Sequence, residues 1–338
     1  MALPITVVGS WWPYDDHTDE LARARREDPT GDAARKITDI WATRAIREQR
    51  EFGFAEWTSG EYFVENFVAT LPRYLTGLTV DAAPPFEEYD YDDFGHLTID
   101  GPIAAPGGLG YAAAYEHDRT LPGGVTKATV VTPFEIMVPA LLDQQDAIDR
   151  AMPDLLAIVN TELRRLAAAG CPHVQLDAPI IATLVNEGRM TAEAGAGLIA
   201  ACFDGVEGTT RGVHFCNGNN KGRPISSVLR LAPWVPILQR LDGVVDDALL
   251  EATYWSEWAE REALKDVPRS IALTVGLVDE ADYSPMPVWK IRAAGWAEVV
   301  GEDRLRLSMS CGFGRHGAAD RALLEQKVTN LAEAAAGF

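Results

Sequence analysis

Residues 156–177 read LAIVNTELRRLAAAGCPHVQLD, and the reading of this stretch decides the fold. Leu156, Val159, Leu163 and Leu166 recur at helical spacing and form one apolar stripe. Gly170 then acts as a C-terminal stop, because glycine takes the left-handed conformation that closes a helix at no steric cost. Three residues later the β-prone run His173–Asp177 begins. Further strand candidates are Ile5–Val8, Phe54–Thr58, Thr126–Val131, Gly212–Cys216, Ala248–Glu251, Ile271–Val275 and Leu305–Met309, eight in all. Ser226 and Ser227 are placed to cap another helix, carrying Val228, Leu231, Val235, Leu238 and Leu241. Parallel strands need a crossover that is usually a helix, so this alternation predicts an α/β protein, a single (β/α)8 TIM barrel over residues 1–338. The rival is an open doubly wound sheet, against which stands the lack of a strand followed by a G-x-G-x-x-G or G-x-x-x-x-G-K-[ST] turn.

Residues 61–124, after the second strand candidate, read as the irregular part of the chain, too long for an ordinary βα connection. They read as an insertion over the barrel mouth, either a solvated loop or a lid that shapes the pocket. Within them lies the acidic, aromatic tract Phe86-Glu87-Glu88-Tyr89-Asp90-Tyr91-Asp92-Asp93-Phe94, whose Tyr89 and Tyr91 suit cation–π contact with a cationic methyl donor.

A net charge of −20 argues against nucleic acid, whose phosphates require a basic footprint. No apolar run is long enough to span a membrane, and the opening MALPITVVGSWWP has no basic, apolar leader pattern, so a cytoplasmic protein is expected. Four cysteines are too few for a disulfide scaffold in a chain of 338 residues and suit reduced thiols or a metal site. Cys171 falls in a helix-to-strand turn and Cys202 in an Ala-rich helix, both packing positions.

The chemistry concentrates in Val213-His214-Phe215-Cys216-Asn217-Gly218-Asn219. Strand side chains alternate faces, so His214 and Cys216 project together while Val213 and Phe215 pack on the other side. An imidazole and a thiolate at this spacing can share one tetrahedral zinc ion; a packed histidine and cysteine are the plain alternative. Cys311, in Ser310-Cys311-Gly312-Phe313-Gly314, stands just past a strand end, where barrel enzymes keep their catalytic groups. Glu251 ends its strand in the same way and offers a fourth, exchangeable oxygen. Three fixed ligands and one displaceable position make a catalytic zinc pattern. With two thiolates such a zinc is nearly neutral, which leaves a bound thiol nucleophilic and suits alkyl transfer to sulfur; hydrolysis would favour His and carboxylate ligands.

These residues, in this order, resemble the cobalamin-independent methionine synthase family, its C-terminal catalytic barrel and single-barrel relatives. The likeness rests on Val7-Val8-Gly9-Ser10 for V-G-S, Thr58-Ser59-Gly60-Glu61 for D-G-E, and Val174-Gln175-Leu176-Asp177-Ala178-Pro179 for I-Q-I-D-E-P. It continues through His214-Phe215-Cys216 for H-x-C, Val275-Gly276-Leu277-Val278-Asp279 for V-G-x-x-D, and Ser310-Cys311-Gly312-Phe313 for C-G-F. The resemblance implies Zn2+ held by His214, Cys216 and Cys311, with Glu251 as the ligand that a substrate thiol displaces. It also implies that Gly9 and Ser10 hold a substrate carboxylate, that Glu61 and Asp177 bind an amino group, and that Asp279 joins Glu61 and Asp177 among the catalytic acids. A plain alternative for Asp177 is a helix N-cap before Pro179, and for Glu61 a solvated loop acid.

Three departures argue against methyl-folate as donor. Ala178 replaces a carboxylate, Glu280–Ser284 lacks the histidine of the folate-using enzymes, and Phe134-Glu135-Ile136 follows Thr132-Pro133 where they carry a tryptophan-containing segment. The implied activity is methyl transfer to a zinc-activated, homocysteine-like thiol from a corrinoid, a corrinoid protein or another small donor. Two alternatives stay open: an epoxide-opening thiol alkyltransferase, whose anionic thiol would want Arg223 or Arg315, and a zinc-binding family member without turnover.

Overall fold

Two antiparallel strands, β1 (Thr76–Val80) and β2 (Leu97–Ala104), stand apart from a central sheet of six parallel strands. The central strands are β3 (Lys127–Val131), β4 (His173–Asp177), β5 (Thr210–Phe215), β6 (Asp247–Glu251), β7 (Ala272–Val278) and β8 (Leu305–Met309), ordered as they occur in the chain. The computed structural model describes residues 2–28, 31–63, 71–80, 97–138, 144–218, 224, 226–278, 286–314 and 320–338. Sequential parallel order removes the doubly wound alternative, which requires the strand order to reverse at a switch point. Among the described residues no helix is long and apolar enough to cross a membrane.

The remaining two strand candidates form single bridges instead of strands. Ile5 pairs with Leu307 and Thr6 with Glu56, both in parallel sense. Leu307 donates to Pro4 O (2.9 Å), Thr6 to Leu307 O (3.0 Å), Ala55 to Ile5 O (2.8 Å) and Thr126 to Trp57 O (3.0 Å). Backbone bonding thus runs from β8 through residues 4–6 and 55–57 to the start of β3.

Alternation gives the sheet two unlike faces. Val130, Val174, Leu176, Val213, Ala248, Leu250, Leu273, Val275, Leu305 and Leu307 are buried, facing the helices that follow the strands. Between them, on the opposite face, come Lys127, His173, Gln175, Asp247, Thr274 and Ser308, buried and polar. Such groups persist only with partners. Lys127 Nζ donates to Val7 O (2.7 Å), Gln175 Nε2 to Val8 O (2.9 Å) and Ser308 Oγ to Thr6 O (2.8 Å). Glu56 accepts from His173 Nδ1 (2.9 Å), Thr6 Oγ1 (3.1 Å) and Arg306 (3.4 Å), while Thr274 donates to Asp247 (3.1 Å).

Two sequence expectations are corrected. The helix after Ser226 begins later: the chain is irregular to Leu231, passes through a 3-10 turn at Ala232–Trp234, and is α-helical only over Val235–Arg240. Pro233 and Pro236 lack the N–H groups that a continuous helix would donate to Leu229 and Ala232, and Ser226 Oγ instead accepts from Val228 N (3.0 Å) in a local turn. The segment 61–124 is also more structured than its sequence suggested. It contains β1, β2 and the helix Tyr111–Asp118, and β2 leans on the helix Gln145–Ala168, with Ile103 N donating to Asp154 Oδ2 (3.2 Å). The acidic tract 86–94 lies outside the described residues.

The Glu56 carboxylate yields a stability prediction. Burial opposes its ionisation, but the His173 hydrogen bond and the charges of His173, Lys127 and Arg306 outweigh burial and hold its pKa at about 2, below 4.5. A lowered folded-state pKa contributes stability that is present above the unfolded value and is lost as pH falls through the folded one. Denaturant titrations should therefore show wild-type stability falling as pH drops from about 4.5 to about 2, with a shallower fall in Glu56→Gln.

Candidate metal centre

The register of the sheet assembles the site at the C-terminal ends of its strands. Asp177 pairs with His214, and Glu251 with Gly276. On β5, Val213 and Phe215 turn outward, Phe215 lying 5.8 Å from the Trp234 ring, which leaves His214 facing the polar side. Cys216 follows directly, buried, and Cys311 stands two residues past β8, half-buried. The ligand atoms of His214, Cys216 and Cys311 all lie within 4.8 Å of one another.

The imidazole is set for a metal. Its Nδ1 lies 3.1 Å from Leu249 O, an acceptor, so Nδ1 carries the proton and Nε2 its lone pair. Nε2 is buried and has no hydrogen-bond partner. A buried acceptor left over beside two thiols fits an ion of zinc type, which takes nitrogen and sulfur ligands in tetrahedral array. The thiols compete for a proton: Cys216 is pushed well above the usual thiol range by its contact with Cys311 and by burial. Cys311 is held well below that range by Cys216 and His214, against the opposing effect of burial.

Two carboxylates share this neighbourhood. Asp177 Oδ1 accepts from Gln175 Nε2 (2.7 Å), and burial raises its pKa although His214 and Gln175 pull it down. The N-cap of the helix Pro179–Asn186 is Ala178, with no side-chain cap bond, so the structure does not give Asp177 a capping role. Glu61 sits at φ 63°, uncommon for a residue with a side chain, after Gly60 at φ 88°. That turn carries its carboxylate against Gly9, where an added Cβ would lie 2.5 Å from Oε1, and Thr129 donates to the same oxygen. Burial, then the Asp177 charge, pushes Glu61 well above the ordinary carboxylate range. Ser10 is stitched to the Cys311 loop: its Oγ accepts from Gly314 N (3.0 Å) and its carbonyl from Phe313 N (3.1 Å).

Glu251 is buried at the end of β6, and its Oε2 accepts from Asn217 N (2.6 Å) and Nδ2 (3.1 Å). Its oxygens are not part of the three-residue cluster above. Asp279, Arg223 and Arg315 lie outside the described residues. Cys171 and Cys202 are fully buried elsewhere, their thiols pushed up to about 12 chiefly by burial, as packing residues should be.

Sequence reasoning missed Lys127, Thr129, Tyr111 and Asn217. Tyr111, Lys127, Thr129 and Glu61 line a cavity of about 30 Å3 beside the site. A lysine on the same strand face as Thr129 in an otherwise apolar run was a usable signal; Tyr111, from the insertion, carried none. A second group, Asp39, His117 and Asp118, also brings its ligand atoms within 4.8 Å, and His117 Nε2 pairs with Asp39 Oδ1 at 2.7 Å across two helices.

Fold and site together define a parallel α/β protein carrying a two-cysteine, one-histidine cluster at the C-terminal ends of its strands. No protein-family profile matches the chain, and no curated protein does. Solved structures do. A B12-independent methionine synthase from Shewanella sp. W3-18-1, in complex with selenomethionine, matches with a TM-score of 0.76 at 16% identity, over 99% of this chain and 97% of that one. A Listeria monocytogenes protein described as a candidate vitamin-B12-independent methionine synthase matches with a TM-score of 0.67 at 19% identity, over 100% and 98%. A methyltransferase from Methanosarcina mazei matches with a TM-score of 0.59 at 12% identity, over 100% and 94%. At these identities the likeness establishes the fold, and two of these three neighbours carry the name of the family that the sequence motifs resemble.

Gly276 offers a test of the geometry. An added Cβ would lie 2.9 Å from Ser310 Cα, 3.1 Å from Met309 O and 3.2 Å from Leu250 O, all backbone atoms that yield little. Gly276→Ala should push the Ser310–Cys311 segment away, lowering stability by about 1–3 kcal/mol and metal content with it. Thermal unfolding and elemental analysis of the purified variant measure the two effects.

Proposed function

We propose that the chain is a zinc-dependent thiol methyltransferase of the methionine synthase type, acting on a homocysteine-like acceptor. The observation that carries this reading is the convergence of His214, Cys216 and Cys311 on one point, with a buried imidazole nitrogen left without a partner. In the same reading the bridged runs at residues 4–6 and 55–57 complete an eight-stranded barrel over one domain, and the segment 61–124 covers its mouth. Packing of β2 on the helix Gln145–Ala168 and the approach of Tyr111 to the Glu61 cavity support that cover.

His214, Cys216 and Cys311 would hold the zinc, and Glu251 would take the exchangeable position. Bound there, zinc lowers the pKa of a ligating thiol so that the thiolate forms at neutral pH. The chain's own groups do the rest. Glu61 and Asp177, both pushed up by burial, are carboxylates whose charged forms a substrate ammonium would stabilise. This favours an amino-acid thiol over a sulfonate thiol, which would meet two carboxylates. Gly9 and Ser10, on the loop facing Cys311, would hold the substrate carboxylate and so set the sulfur's direction. The Shewanella neighbour was solved with selenomethionine, a methylated amino acid of the class such a reaction yields. Localisation in the cytoplasm, and a corrinoid, corrinoid protein or small donor as methyl source, belong to the same proposal.

Purified protein should contain about one zinc per chain and methylate homocysteine when offered methylcobalamin or a small methyl donor. Cys311→Ser should lose most of the zinc and at least about a hundredfold in rate. Full metal occupancy and turnover in that variant would contradict the assignment.

A further inference from the structure

We propose that Asn217 is a positioning residue that holds the Glu251 carboxylate in place beside the metal centre and so eases its replacement by the incoming thiol. The inference rests on the reading above and extends it to a residue outside the ligand set.

Asn217 is fully buried, yet all its polar atoms have partners. Its Nδ2 donates to two carboxylates, Glu251 Oε2 (3.1 Å) and Glu257 Oε1 (2.7 Å). Its backbone N–H donates to Glu251 Oε2 at 2.6 Å, its Oδ1 accepts from Asn186 Nδ2 (3.4 Å), and its carbonyl accepts from Ser226 N (3.2 Å). Both carboxylates only accept when ionised, so the amide can stand only one way round. Glu257 is itself held by the backbone N–H of Tyr254 (3.1 Å), which ties the relay to the segment that follows β6.

Placement gives this hub its meaning. Asn217 follows Cys216, so the residue next to one sulfur donates two hydrogen bonds to the carboxylate expected to leave, one from its backbone N–H and one from its side-chain amide. A buried carboxylate that quits a cation with no other partners carries a full desolvation penalty. With Asn217 in place, Oε2 keeps two N–H donors whether or not the carboxylate touches the metal. Without the amide the carboxylate depends more on the cation, competes harder with the thiol, and thiol binding weakens.

Cobalt(II)-substituted protein supplies a readout independent of turnover, because its visible spectrum changes when sulfur enters the coordination sphere. Homocysteine titrations should give a Kd about tenfold weaker in Asn217→Ala than in wild type, the size expected for one hydrogen bond to a charged group. The same substitution in a Glu251→Gln background should leave the Kd unchanged, since Asn217 acts through the carboxylate. Should Asn217→Ala not fold, Asn217→Ser, which keeps one donor, replaces it in both backgrounds with a smaller shift in the same direction. An unchanged Kd in the single variant, or equal weakening in both backgrounds, overturns the positioning role. No thiol-dependent change in the wild-type spectrum overturns the functional reading itself, and this inference with it.

Discussion

The bonds between Leu307 and the run Pro4–Thr6 decide where β8 stands against the N-terminal run, and the site depends on that seam. Cys311 approaches His214 and Cys216 from a loop that is fastened to the N-terminal run. Gly314 and Phe313 donate to Ser10, and the Phe313 ring lies 5.5 Å from both Trp11 and Trp12. Those indoles are in turn held by one buried carboxylate. Glu48 Oε2 accepts from Trp11 Nε1 (3.0 Å), Trp12 Nε1 (3.1 Å) and Tyr14 Oη (2.8 Å), and Glu48 Oε1 from Arg321 (2.9 Å). The N-terminal run, the helix Asp32–Glu51 and the helix Arg321–Ala335 thus share a single charged acceptor, a cooperative arrangement in a dry setting.

The polar face of the sheet divides into two layers with different charge balance. Toward the strand starts, Glu56 and Asp247 meet His173, Lys127 and Arg306, so acids and bases offset one another. Toward the strand ends stand Glu61, Asp177, Glu251 and two thiols, with His214 as their near neighbour and the Lys127 charge acting on both Glu61 and Asp177 without offsetting their burial. Glu61 and Asp177 are pushed upward, the expected response of buried anions short of positive charge. In the proposed reaction, a metal cation at the sulfur side and a substrate ammonium at the carboxylate side would correct this imbalance.

Glycines make the close approaches possible. At Gly9 the Glu61 carboxylate occupies the space of a side chain, and at Gly276 the backbone of the Cys311 strand does so. Both lie in sequence motifs whose glycine has a steric cause here: a carboxylate in one case, and backbone leading to Cys311 in the other, occupies the space a Cβ would take.

Local pattern was enough to place His173–Asp177 and Leu305–Met309 at their observed bounds, because strand alternation and turn residues are written within a few positions of one another. It failed after Ser226, where apolar spacing suggested a helix that Pro233 and Pro236 delay, and in the insertion, whose hairpin pairs residues some twenty positions apart. The pairing of His214 with Cys216 on one strand face could be read from the sequence alone. That Cys311 joins them was implied by the resemblance of its motif and not by local pattern; how closely the three meet, that Glu251 rests on Asn217, and that Lys127 and Tyr111 lie near Glu61 were settled only by the tertiary structure. Periodicity assigns each side chain to a face of its own element; which faces then meet depends on long-range closure of the chain, to which no short window of sequence has access.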